Sequence, residues 1–300
     1  QLTDTDTRFT NNASFVGGAL FLVGSGSRTL RRVTLSGNTG VSGGGGLYSS
    51  SALLIENSTI SGNRTTSTDQ SFSAGGGMAM FLPGVTTIRN STISGNTTAT
   101  RGGGIFSEGT TSLFNVTVAG NTSAAGGAGL HASLLTITLT NSLLSGNQRA
   151  GVAQNCFSTN PATIPSTGYN LSDDATCTLL TQPTDKNNMP AMIGPLADNG
   201  GPTRTHALLP GGAALNGGNA TTCPTSDQRG FGRQGVCDIG AFEFGGAAPV
   251  PSALRAGVRV ERPTALHGAV PPVRAVLPLG GATGDRRGAA VGADVVLKLQ

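Results

Sequence analysis

The sequence predicts an all-β fold, a parallel β-helix with three short strands in each coil of about 25 residues. Two observations carry this. An Asn recurs at Asn12, Asn38, Asn63, Asn96, Asn121 and Asn147, at intervals of 26, 25, 33, 25 and 26 residues, with the text around it repeated. A period of this length, with glycines, branched apolar residues and turn residues in register, marks a solenoid whose units are stable only when stacked. Composition is the second observation: 47 Gly in 300 residues, 11% charged, 4% aromatic and no Trp. Glycine weakens helices and there are few long charged side chains to coat them, whereas repeated Thr, Val, Ile and Asn read as strands joined by turns.

Each element follows from aligning the repeats. The words ENSTISGN, RNSTISGN, FNVTVAGN and TNSLLSGN place a second Asn column six residues before the first, at Asn57, Asn90, Asn115 and Asn141, with Arg32 in the first copy. Two residues before this inner column lie Leu30, Ile55, Ile88, Leu113 and Leu139, which are the inward side chains of a first strand. Three residues after it lie Leu35, Ile60, Ile93, Val118 and Leu144, inward in a second strand, so alternation turns Thr34, Thr59, Thr92 and Thr117 outward. A glycine cluster then leads into a third strand, whose first inward residue is Leu20, Leu47, Met78, Ile105 or Leu130. With coils about 4.8 Å apart, like side chains stack on like. Structural ladders are therefore expected at Asn38, Asn63, Asn96, Asn121 and Asn147 and at Asn57, Asn90, Asn115 and Asn141. Six of these asparagines also open N-glycosylation triplets. Glycans stacked at one corner would collide, which favours the structural reading.

Charge and cysteine usage narrow the function classes. Residues 1–244 hold 12 basic and 12 acidic side chains, so the net charge of +4 comes from residues 245–300. A neutral body offers no basic stripe for nucleic acid. No apolar run reaches the roughly 20 residues of a transmembrane helix. Cys156, Cys177, Cys223 and Cys237 all follow the repeats, and none forms a CxxC pair, so two disulfides in an oxidising compartment are expected. Local pairing is the expectation, although three connectivities are open. Neither metal nor cofactor is called for, and nothing in the sequence sets the oligomeric state.

Two bacterial surface families share words with this chain. FTNN and GGAL, at residues 9–12 and 17–20, resemble the FxxN and GGA[IL] repeats of polymorphic outer-membrane protein passenger domains. That resemblance implies a right-handed parallel β-helix over residues 1–155. GYNLSDDATC (residues 168–177), GPLADNGGPTRTHALLPG (194–211) and DQRGFGRQGVCDIGAFE (227–243) closely resemble the choice-of-anchor Q domain. This implies that residues 156–244 are a disulfide-bearing segment capping the open end of the helix in a secreted or surface-attached bacterial protein. Where that family reads SPAID-x-G, this chain has GAALNG, with Asn216 in place of an Asp. Residues 245–300, rich in Ala, Gly, Pro, Val and Arg, lack the period of the coils and any sorting signal, and are expected to be a disordered tail or a non-native reading frame.

The function that fits is a non-catalytic, adhesin-like scaffold, extracellular or on a bacterial cell surface, binding glycans or surface proteins. The alternative is a polysaccharide lyase or glycoside hydrolase of the pectate-lyase-like β-helix type. Such chemistry wants paired carboxylates, or clustered acids around calcium with a basic residue. Between Phe9 and Asn155 the only acids are Glu56, Asp69 and Glu108, at unrelated coil positions, and there is no Lys. Asp198, His206, Asp227, Asp238 and Glu243 are denser in the terminal segment, but their turn and loop contexts favour capping and pairing with Arg229. The candidate binding surface is on the third strand instead, where Phe21, Tyr48, Phe106 and His131 fall at outward positions and stack into a stripe; the alternative is that a loop or the terminal segment folds back and covers it. The other candidate is a protruding loop around Arg64 to Ser73, the expansion in the longest repeat.

Overall fold

The computed structural model describes residues 2–69 and 75–249. The expectation for the tail falls on residues 250–300, and the tip of the expanded loop on residues 70–74; both lie outside the described residues. Residues Gln1–Ala248 form one compact unit.

The chain winds as a parallel β-helix whose wall has four sheets, one more than the three strands per coil read from the sequence. The first sheet stacks Leu2–Thr5, Arg28–Arg31, Leu53–Glu56, Val85–Arg89, Thr110–Phe114 and Ile137–Thr140. A second begins at Arg8–Thr10, passes through Thr34–Ser36, Thr59–Ser61, Thr92–Ser94, Thr117–Ala119 and Leu143–Ser145, and ends on Leu171–Ser172 and Lys186–Asn187. The fourth runs from Leu20–Leu22 to Cys156–Ser158. Between these lies the unexpected sheet, which includes Thr39–Ser42, Arg64–Thr65, Thr97–Thr98 and Thr122–Ser123, directly after each ladder Asn. Strands of two residues carry no alternation to read, so the pattern hides them.

Register makes the core a set of columns. Leu30, Ile55, Ile88, Leu113 and Leu139 are successive partners in the first sheet. Leu35, Ile60, Ile93, Val118 and Leu144 follow in the second, and Leu47, Met78, Ile105 and Leu130 in the fourth. All belong to one buried cluster. The glycine pairs set how closely the coils approach. A Cβ on Gly77 would lie 2.7 Å from the Gly104 carbonyl oxygen and 3.0 Å from the Asn96 side chain, so the corner admits no side chain there.

The outer Asn column is a ladder, as expected. The backbone N–H and Nδ2 of Asn38 both donate to Asn63 Oδ1, at 3.0 and 2.8 Å. Asn63, Asn96 and Asn121 repeat the pattern toward Asn96, Asn121 and Asn147, while each Nδ2 also reaches a carbonyl of the preceding coil. At the last coil Asn147 Nδ2 donates to Asn155, whose own amide bonds Ser172 and Asp173.

The inner Asn column is a correction. Asn57, Asn90, Asn115 and Asn141 do not bond one another; each holds a left-handed backbone, with φ between 41° and 52°, which Asn tolerates better than most residues. Arg32 adopts the same conformation, and its guanidinium is held by Asp6 at 2.6 Å. The polar column at this corner is instead the following serine: Ser58 Oγ accepts from Val33 N–H, Ser91 Oγ from Ser58 N–H, and Ser142 Oγ from Val116 N–H.

The disulfides pair locally, Cys156 with Cys177 and Cys223 with Cys237. Capping by the terminal segment holds for its first part, where Cys156, Ala162, Ile164, Cys177 and Leu180 close the main core. The later part turns back along the outer face of the second sheet. There Leu143 and Leu171 meet Ala191, Leu208, Ala214, Ile239 and Phe242 in a second core. The outward threonines are the docking surface. Thr59 Oγ1 donates to the Arg204 carbonyl at 2.6 Å, Thr92 Oγ1 to Gln228 Oε1 at 2.6 Å, and Thr117 Oγ1 accepts from Ala241 N–H at 3.0 Å.

Candidate functional site

The expected aromatic stripe exists as a stack, but half of it is closed. Rings of Phe21, Tyr48, Phe81, Phe106, His131 and Phe157 follow one another with centroids 4.9–5.8 Å apart. Where Ala79 supplies no ring, Phe81 two residues later fills the gap. Phe21 is 54% exposed and Tyr48 half-buried, whereas Phe106 and His131 are fully buried. The turns before the strand fold over the rings: a Cβ on Gly126 would strike the His131 imidazole, and one on Gly43 the Tyr48 ring at 2.9 Å. Phe106 and His131 are thus corrected from ligand contacts to internal packing, since a ring whose face and edge are both covered offers nothing to a ligand. Burial, with the Arg101 charge adding to it, holds His131 down to about 4, and its Nδ1 has no hydrogen-bond partner.

Asp227, Asp238 and Glu243 of the terminal segment are engaged within their own fold. Asp227 accepts from Arg229 Nε at 2.8 Å and from the backbone of Arg229, Phe231 and Glu243. Glu243 holds Arg233 at 2.9 Å and caps Gln234 and Asp238 N–H. Asp238 caps Asn216 and Phe244; burial pushes its pKa up, opposed by these two N–H bonds. Arg229 is clasped between Phe231 and Phe242, its guanidinium carbon 4.1 and 3.7 Å from their ring centres. His206 lies apart from this cluster, between Ser94 Oγ and the Gly194 carbonyl, each at 2.8 Å, and burial lowers its pKa. Among the described residues no three His, Cys, Asp or Glu gather as metal ligands would.

Among the described residues a cleft of about 280 Å³ lies open on the second sheet. The terminal segment covers this face at Thr59, Thr92, Ser94 and Thr117, and toward the first coils its turn at residues 198–204 overhangs it. One wall is the sheet itself, with the outward pairs Arg8 and Thr10, Thr34 and Ser36, and Ser61 beside Thr59. Asp198, Thr203 and Arg204 form the other. Arg8 and Arg204 are exposed and neither enters an ion pair among the described residues. The single acid, exposed Asp198, accepts from Gly200 N–H at 3.1 Å. Sequence reading missed this cleft. Period-two alternation already turns Arg8 outward, but only a fold-back of about 190 residues brings the turn beside it, and no local pattern encodes that.

A family model described as right handed beta helix region matches residues 2–165, more than half of the 300 residues. Compared with curated proteins and with solved structures, the chain has no match. Among the described residues no helix is long and apolar enough to cross a membrane.

Proposed function

Since the chain belongs to the right-handed beta helix family, we propose that it acts as a non-catalytic extracellular scaffold, adhesin-like, that holds a binding surface for glycans or partner proteins. The observation that carries this reading is the state of its acids. Asp227, Asp238 and Glu243 are buried and saturated with internal donors, and the open cleft contains Asp198 alone. Glycoside hydrolysis by the usual route needs two carboxylates either side of the scissile bond. Two disulfides support an oxidising, extracytoplasmic setting. The likeness to choice-of-anchor Q words supports attachment to a bacterial surface.

The competing reading, a polysaccharide lyase or hydrolase, has in its favour the open polar cleft with Arg8 and Arg204. A glycan array read beside a depolymerisation assay on pectin and related polymers separates the two. Retention of a glycan without release of new chain ends is the expected result. Turnover that survives purification and scales with protein concentration would sink the scaffold reading.

A further inference from the structure

We infer that the cleft between the first coils and the 198–204 turn is a binding site for an anionic saccharide, whose acid group is gripped by Arg8 and Arg204. This rests on the scaffold reading and names the ligand chemistry of its open face. The second sheet supplies an internal template. Its outward hydroxyls repeat down the wall, Thr34, Thr59, Thr92, Thr117 in one column and Ser36, Ser61, Ser94 in another. Where the terminal segment covers them, these hydroxyls meet acceptors at Thr59 (a carbonyl), Thr92 (an amide oxygen) and Ser94 (the His206 ring nitrogen), while Thr59 also accepts from Gln228 Nε2 and Thr117 accepts from Ala241 N–H. His206 Nδ1 faces the Gly194 carbonyl at 2.8 Å, which puts the ring proton there and leaves Nε2 to accept from Ser94. The same columns continue into the cleft as Thr34, Ser36 and Ser61, joined by Thr10, and none of these four hydroxyls has a protein partner among the described residues. A complementary ligand therefore carries oxygen acceptors together with donors, as a hydroxylated sugar does.

Charge completes the description. Two guanidinium groups against one carboxylate give the lining a net positive charge, and guanidinium forks match carboxylate and sulfate oxygens in pairs. Three coils span about 10 Å, and a volume of 280 Å³ is at the small end for ligand sites, the scale of one or two sugar rings. Neither arginine side chain supports the fold. Arg204 uses only its carbonyl, toward Thr59 and Gln228, so both side chains can be removed without touching the docking contacts.

The test is calorimetric titration of the full chain with trigalacturonate, its methyl ester and a sulfated chondroitin oligosaccharide, at low and high salt. The expected result is binding of the uronate, the sulfated chain or both, weakened by salt and lost by tenfold or more on esterification. R8A and R204A should each weaken it about tenfold, with unchanged circular dichroism and melting. Equal binding of acid and ester, equal binding by the R8A/R204A double variant, or no binding of either anionic sugar overturns the assignment. Glycan retention that persists in the double variant would refute this site and leave the scaffold reading standing. Cleavage of trigalacturonate would refute the scaffold reading and leave the site.

Discussion

Asn96 shows why the ladder tolerates no substitute. Its Oδ1 receives two donors from Asn63, its Nδ2 serves both Asn121 and the Ile60 carbonyl, and the residue is fully buried. Replacing it by Ala strands two donors and a carbonyl where water does not reach. Each buried orphan costs about 1–3 kcal/mol, so Asn96→Ala should lose about 3 kcal/mol or more in urea unfolding. Asn12 is exposed and donates only to Asn38, so Asn12→Ala should cost well under half as much. Equal losses would mean that the ladder adds nothing beyond a turn preference. His131 makes a pH prediction at the same scale. Folding holds it neutral to about 4, below its ordinary value of 6.5, so the unfolded chain binds the extra proton between those values. Its contribution is complete above about pH 6.5 and drains away as pH falls toward 4, by up to about 3 kcal/mol. His206, lowered as well, adds to the same slope. His131→Phe keeps a ring between Phe106 and Phe157, and its unfolding midpoint should depend less on pH between 4 and 7 than the wild type; an unchanged slope would assign the effect elsewhere.

At the scale of elements, Gln228 fastens the terminal segment to the sheet. Its Nε2 donates to Thr59 Oγ1 and Thr203 Oγ1, each at 2.9 Å, and to the Arg204 carbonyl, while its Oε1 accepts from Thr92. It is fully buried, so Gln228→Ala should cost about 2–4 kcal/mol and should free amides in both the segment and the facing strands to exchange. Gln228→Glu should cost about as much, because a carboxylate cannot donate to the Arg204 carbonyl. An undisturbed exchange pattern in either variant would contradict the role given to this side chain. The same element marks the limit of what the sequence tells. Inward columns such as Leu30, Ile55, Ile88 and Leu113 are legible because stacked burial repeats a residue type every coil. The outward Thr34, Thr59, Thr92 and Thr117 are legible as outward, yet their burial is not, since the covering segment lies far along the chain and carries no repeat. For the same reason Phe106 and His131 pass for exposed: alternation reports which way a side chain points, and the glycine turns that fold over it leave no periodic mark. Asn57, Asn90, Asn115 and Asn141 look like a ladder because a left-handed turn and a ladder select the same residue.

For a polypeptide of these 300 residues taken as a whole, stability should be graded along the axis. The last coils are roofed by the segment that holds Cys156 and Cys177 and are flanked by the second core around Leu143 and Leu171. The first coil has neither; Leu2, Phe15 and Phe21 are 42%, 64% and 54% exposed, and Leu2–Thr5 pairs on one side only. A solenoid opens from the end with the fewest neighbours, because each coil contributes its own stability plus one interface on either side. The amides of Thr34 and Thr39, bonded to carbonyls of Thr7 and Asn12, should then exchange at least tenfold faster than those of Thr117 and Leu143, bonded to Ser91 and Val116. Gln228→Ala sharpens the expectation. By loosening the segment it should speed exchange at Thr92 and Thr117 and leave Thr34 and Thr39 near their wild-type rates. A gradient running the other way, or a single rate shared by all coils, would show that the fold opens all at once and that the segment lying along the second sheet adds no local protection.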